Sequence, residues 1–318
     1  MTEAALPTGE SQRRALVKAA RRSIRHGSKS FALASALFDR RTREHAWLLY
    51  AWCRACDDLA DGQVMGHGMH VVPDPATRLA FIRDKTTLAL AGEPTGEAAF
   101  DGFGLVAREC AIPRGLAEDL IGGFALDTEG WKPRSENALY LYCYHVAGVV
   151  GIMMALVMGV SPDDEATLDR ACDLGMAFQL ANIARDIRED GAAGRCYLPV
   201  SWLAEMNIPP GEQFHPAHRH RLAMLAQRLT NRAAAYEASG RAGTAALPFR
   251  AAWAVLAAAG IYGDIGRAVA KAGESAWDRR VTISKAAKVA WVGKAFVQAL
   301  RRRPSGNRPP ELWTRPRE

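Results

Sequence analysis

The sequence predicts an all-α protein, a single large helical bundle, and three features carry that reading. Apolar residues recur at spacings of three and four along most of the chain, and alternating β-branched runs are absent. The segments patterned this way are long, and short breaks rich in glycine or proline separate them. Apolar residues make up 49% of the 318 positions and charged residues 24%, so a large core can form and whole-chain disorder is excluded. Taken in order, helices are expected over 10–25, 29–38 and 41–61, the last ending at the glycines and prolines of 62–75. The next, 76–91, stops at the turn Gly92-Glu-Pro-Thr-Gly96, and 97–111 and 114–130 follow. A helix over 136–160 carries no Asp, Glu, Lys or Arg from Asn137 onward, and 163–190 ends in the loop Gly191 to Pro199. Helices over 213–240, 246–274 and 282–302 complete the set. No internal repeat and no linker divides residues 1–303, which read as one domain, while 304–318, with four prolines, reads as a disordered basic tail.

The net charge of +7 is unevenly spread. Residues 1–29 hold seven bases against two acids and residues 278–318 eleven against three, leaving the middle net negative. An acidic body with basic ends suits an anionic membrane surface and argues against a nucleic-acid partner. Six scattered cysteines make no disulfide framework, so a reducing, cytoplasmic setting with membrane association is expected. The opening residues carry no secretory pattern. The unbroken apolar part of the uncharged helix, Val146 to Val160, spans 15 residues, short of the ~20 that cross a bilayer. A buried helix accounts for it better.

The informative chemistry is in two aspartate pairs. In Tyr50-Ala-Trp-Cys-Arg-Ala-Cys-Asp-Asp-Leu-Ala-Asp61, a helix places Tyr50, Arg54, Asp57 and Asp61 on one stripe about 60° wide. Gln179, Asn182, Asp186 and Asp190 form a second stripe of the same kind, with Arg185 beside it. Two carboxylates one helical turn apart repel, and Asp is a poor helix-interior residue. Repeating this on two apolar helices calls for a compensating cation. Oxygen ligands suit Mg²⁺, with Mn²⁺ also accommodated, and substrate phosphates complete such sites. Arg54 and Arg185 match diphosphate oxygens bidentately. Each pair alone reads as a solvated acidic face; the two together point to metal-assisted diphosphate binding.

At these residues the chain resembles the squalene and phytoene synthases, helical isoprenoid synthases that join two prenyl diphosphates head to head. The matching motifs are Gly27-Ser-Lys-Ser-Phe31, Asp57-Asp-Leu-Ala-Asp61, Tyr142-Cys-Tyr-His-Val-Ala-Gly148, Asn182 to Asp190 and Gly194-Arg-Cys-Tyr-Leu-Pro199, in family order. The resemblance implies a central cavity in which Asp57, Asp61, Asn182, Asp186 and Asp190 hold the metal. It implies that Lys29, Ser30, Phe31, Tyr50, Arg54, Gln179, Asn182, Arg185 and Arg280 bind substrate. Tyr142 and Tyr262 are then expected near the reacting carbons. The implied reaction condenses two geranylgeranyl diphosphates through a cyclopropyl diphosphate to phytoene without NADPH. Squalene or dehydrosqualene formation from farnesyl diphosphate is the alternative, and a non-catalytic helical assembly protein is one of another class. Retention of both acidic pairs speaks against the latter. Apolar and tyrosine-bearing walls would exclude water and stabilise cations.

Chain length is read from Ala34 and Ser35, small residues where the resemblance implies that C15-using relatives place a bulky one; Trp47 argues partly the other way. Several other patterns reduce to ordinary structure. Cys53 and Cys56 lie mid-helix with no second pair at zinc-site spacing, and His215, His218 and His220 read as loop histidines. Gly102-x-Gly104-x-x-Ala107 follows no strand and is not a dinucleotide fingerprint.

Overall fold

The computed structural model describes residues 9–61, 74–303 and 306–317, apart from the side chains of Lys29 and Asp61. Among the described residues every regular element is helical. Contacts divide the chain into two compact units, Met1–Phe124 and Ala125–Glu318.

The first unit holds α1 (Gly9–Gly27), α2 (Lys29–Ser35), α3 (Arg40–Asp61), α4 (Pro75–Ala91), α5 (Ala98–Glu109) and most of α6 (Arg114–Thr128). Its core is aromatic and aliphatic, with Trp52 stacked on Phe103 at 3.8 Å between ring centroids. Local chemistry sets the helix ends. Ser28 caps α2 by accepting the Phe31 N–H, and Asp74 caps α4 just before Pro75. Gly104 lets α5 cross α4 backbone to backbone, since a Cβ there would lie 2.2 Å from the Ala89 carbonyl oxygen. Arg13 of α1 reaches both Glu44 of α3 and Glu109 of α5, and Glu109 also meets buried His45. Those pairs lock the three helices in register.

The second unit continues with α7 (Glu136–Cys143), a π turn (Tyr144–Gly148) and α8 (Val149–Val157). It adds α9 (Glu165–Ala192), α10 (Val200–Glu205), α11 (Arg219–Gly243), α12 (Phe249–Ala272) and α13 (Lys285–Arg301). The helix expected over 136–160 therefore contains a π turn, located where α9 presses closest. A Cβ on Gly175 would sit 2.2 Å from the Ala147 oxygen, and one on Gly151 2.2 Å from the Ala171 oxygen. The run Glu136–Val157 is long and apolar enough to cross a membrane, yet most of it is buried. The short α10 shows too little periodicity to be seen in the sequence. The helix expected from 213 begins only at Arg219, because Pro216 opens a separate 3₁₀ turn.

The C-terminal segment departs most from expectation. Residues 306–317 are not a loose tail but a strap fastened to α9. Asp173, 1% exposed, accepts from Arg308 Nε at 2.8 Å and Nη2 at 2.7 Å, and from the Ser239 hydroxyl. Asp169 accepts from Arg315 at 2.8 Å and Arg317 at 3.0 Å. Trp313 packs 5.9 Å from the Tyr144 ring and donates its indole N–H to Asn137. Proline removes backbone donors and forbids a helix, but it does not prevent side chains from anchoring a chain. Composition registers the prolines and charges; it cannot register that the arginines meet buried carboxylates.

Removing one partner of a buried ion pair leaves an uncompensated charge. Arg308→Ala should lower the unfolding free energy by about 3–5 kcal/mol in urea denaturation, whereas Arg303→Ala, at an exposed position, should stay within about 0.5 kcal/mol of wild type.

Candidate active site

The site residues fall into two sets, one in each unit. In the first, α2 and α3 bring Phe31, Tyr50, Arg54 and Asp57 into one neighbourhood, with Ser30 next to Phe31 on α2. Gly27 makes this approach: a Cβ there would lie 2.3 Å from the Tyr50 hydroxyl. Phe31 packs against Tyr50 at 5.5 Å between centroids, and the Arg54 guanidinium lies 5.9 Å from the Tyr50 ring centroid. Arg54 bonds Asp57 one turn along and comes within 3.9 Å of Asp58. Burial works against the Arg54 charge, but Asp57, Tyr50 and Asp58 outweigh it and its pKa stands above the ordinary value. Arg54 Nε is buried with no hydrogen-bond partner, leaving a donor for an incoming acceptor. The side chains of Lys29 and Asp61 lie outside the described residues.

In the second unit α9 supplies Gln179, Asn182, Arg185, Asp186 and Asp190. Asp186 is held by two guanidiniums. Arg185 donates to both its oxygens, Nε to Oδ1 at 2.7 Å, and Arg280 does the same at 3.0 and 3.1 Å. Burial raises the Asp186 pKa, but the two arginines overcome it and hold the carboxyl below its usual range. Asp190 has the opposite fate. Burial, then the Asp186 charge, push it up to about 7, with Asp127 adding to the rise and Arg195 opposing it. Asn182 Oδ1 is buried and accepts no hydrogen bond among the described residues. Gln179 is half-buried nearby in sequence on the same helix.

Tyr142 is 3% exposed and stacks between Trp131, at 5.4 Å, and Tyr197, at 4.8 Å. Its hydroxyl donates to Asp127 at 3.0 Å, and Tyr197 donates to the same carboxylate at 2.8 Å. Burial, then Asp127, push the Tyr142 phenol well above its usual pKa, so it stays protonated. Tyr262 stands apart from this group, stacked on Phe178 at 4.5 Å. Sequence reasoning did not single out Asp127, Tyr197 or Asp58. Tyr197 lay inside a matched motif, whereas Asp127, a lone acid at the end of α6, gave no pattern signal.

Two groups of the donor set are left unsatisfied in a way that bears on a bound metal. Asn182 lacks a donor, and Asp190 carries a charge that its surroundings oppose; an oxygen-seeking cation would relieve both. Among the described residues, no three His, Cys, Asp or Glu side chains gather closely enough to hold a metal by themselves. The residues therefore fit a hard cation whose shell is shared with diphosphate and water.

A helical fold with arginine-flanked aspartates on two of its helices is the architecture of an enzyme acting on prenyl diphosphates. Residues 24–287 match the model of the squalene/phytoene synthase family. A 15-cis-phytoene synthase from Pantoea ananas is 46% identical over 294 residues, covering 91% of this chain and 94% of that protein. A phytoene synthase from Pseudescherichia vulneris is 44% identical over 305 residues, covering 95% and 98%. A dehydrosqualene synthase crystal structure superposes with a TM-score of 0.81 at 22% identity, covering 91% of this chain and 98% of that one, which shows the shared fold. The chain belongs to the squalene/phytoene synthase family.

The electrostatic contrast on α9 separates two neutralising substitutions. In metal-free protein at pH 8, Asp190→Asn should raise Tm, and Asp186→Asn should lower it by leaving Arg185 and Arg280 unpaired. A raised carboxyl pKa opposes folding most above about pH 7, so the Asp190→Asn gain should shrink between pH 8 and pH 5. Thermal unfolding in EDTA at both pH values checks this.

Proposed function

We propose that this chain is a phytoene synthase: it joins two geranylgeranyl diphosphates head to head through a cyclopropyl diphosphate and releases both diphosphates. The observation that carries the reading is the similarity, over nearly the whole chain, to proteins named phytoene synthase. Asp57, Asp61, Asn182, Asp186 and Asp190 would hold Mg²⁺, which when bound supplies Lewis acidity toward the leaving diphosphate. Arg54 offers its unpartnered Nε to diphosphate oxygens. Arg185 and Arg280 are both held on Asp186 and would add positive charge beside the leaving diphosphate once Asp186 turns to the metal. The neutral Tyr142 phenol, held by Asp127 and stacked between Trp131 and Tyr197, would serve in this reading as part of a rigid aromatic wall near the reacting carbons. Lys29, Ser30, Phe31, Tyr50 and Gln179 complete the substrate contacts in this reading, with Tyr262 at the apolar wall.

The chain-length argument changes with the structure. Ser35 is fully buried and accepts the Trp47 indole N–H at 3.1 Å. The small residue and the large one are thus a bonded pair, not opposing votes on pocket depth. Incubation with geranylgeranyl or farnesyl diphosphate, with and without NADPH, followed by product mass analysis tests the substrate; a C40 hydrocarbon without NADPH is expected, and exclusive C30 product rejects it. Asp57→Asn and Asp186→Asn should each cut diphosphate release by about a hundredfold or more. Near-normal turnover in both would remove the metal–diphosphate assignment.

We also infer peripheral contact with an anionic membrane from the cytoplasmic side. Support comes from α13, which contains no acid and exposes Val289 (64%), Phe296 (40%), Val297 (44%) and Leu300 (62%). Lys285, Lys294 and Arg301 lie on the same helix, the pattern of an interfacial amphipathic helix. Protein should sediment with anionic vesicles at low salt and be partly released as salt shortens the Debye length toward ~8 Å. Absence of binding at low salt would reject membrane contact.

A further inference from the structure

The first unit contains a groove of about 760 Å³, lined by α1, α2 and the start of α3, that includes none of the site residues named above. Its walls are strongly basic. Arg13, Arg14 and Arg40 are neutralised by Glu10 or Glu44, the two acids of the groove. Lys18, Arg21, Arg25 and Arg43 also line it, and none of the four forms an ion pair with a carboxylate among the described residues. Positions 18, 21 and 25 fall on one stripe of α1. Arg21 and Arg43 flank the Trp47 ring, at 5.7 and 5.5 Å from its centroid, which restrains both guanidiniums. Arg43 Nε is buried without a hydrogen-bond partner. An unsatisfied buried donor on a cation is costly, and an anionic oxygen in the groove would remove that cost. Beside the bases lie apolar surfaces of Val17, Ala32 and Ala36, so the groove suits an anion attached to an apolar body better than a free one.

We propose that this groove is a headgroup site, in which Lys18, Arg21, Arg25 and Arg43 bind the phosphate of an anionic lipid. Guanidinium forks bind phosphate oxygens bidentately, and Trp47 gives the site an aromatic edge of the kind favoured at membrane interfaces. The inference rests on the membrane-contact reading and adds to it a discrete site in place of diffuse charge attraction.

The test uses the full chain with vesicles of phosphatidylcholine, with or without phosphatidylglycerol, measured by sedimentation. Arg21→Ala/Arg25→Ala removes two groove bases, and Arg22→Ala/Arg83→Ala removes two exposed bases outside it. All four positions are exposed, and circular dichroism checks that each variant is folded. The groove pair should weaken binding to anionic vesicles by about tenfold or more, and the control pair by less than about threefold. Arg43→Lys, which keeps the charge but loses the fork, should weaken binding also. Equal effects of the two pairs would overturn the headgroup site while leaving membrane contact standing. Failure of wild type to bind anionic vesicles would overturn both. A third arm uses equilibrium dialysis of inorganic phosphate in EDTA. Phosphate binding lost in the groove pair, with vesicle binding unchanged, would show a free-anion site and overturn the lipid assignment.

Discussion

Helix α9 carries aspartates at 169, 173, 186 and 190 into a mostly apolar packing environment, and much of the second unit is arranged to answer those charges. A carboxylate taken out of water must be paired, hydrogen-bonded or protonated. At one end of α9 the answer is structural: the C-terminal strap brings Arg308 to Asp173 and Arg315 to Asp169. At the other end Arg185 and Arg280 secure Asp186, while Asp190 is left in surroundings that oppose its charge. The same helix thus has one end that is electrostatically closed and one that is open to a cation.

That asymmetry separates scaffold from chemistry. Buried ion pairs such as Asp173–Arg308 hold geometry but leave nothing to react. The open end keeps an oxygen of Asn182 without a donor and a carboxylate whose pKa stands at about 7. Groups left unsatisfied in the free protein are the ones that would gain most from a bound cation, whereas the Arg185 and Arg280 forks are already engaged by Asp186. Tyr142 shows the complementary principle. Fixed by Asp127 and stacked between two rings, it is a rigid packed side chain rather than a titrating group.

Much of this was legible in the residues. Periodicity located the long helices to within a few positions, and the stripes on α3 and α9 placed acid, amide and base on shared faces. The less legible parts have physical causes. The π turn depends on close backbone contact at Gly175, a tertiary event. Asp127 is a single acid, and its importance arises only when Tyr142 and Tyr197 converge on it. Trp47 and Ser35 looked like independent size signals because a hydrogen bond between two helices leaves no trace in local pattern.

The sequence by itself determined the helical class, the family motifs and the pairing of each aspartate set with a basic residue, because these follow from 3.6-residue periodicity and side-chain chemistry. Only the tertiary structure decided how the charge of each aspartate pair is answered. Asp169 and Asp173 have the same spacing as Asp186 and Asp190 on the same helix, so local pattern cannot tell them apart. The distinction comes from residues more than 130 positions away, where Arg308 and Arg315 answer one pair, whereas at Asp190 burial and the Asp186 charge outweigh the opposing Arg195.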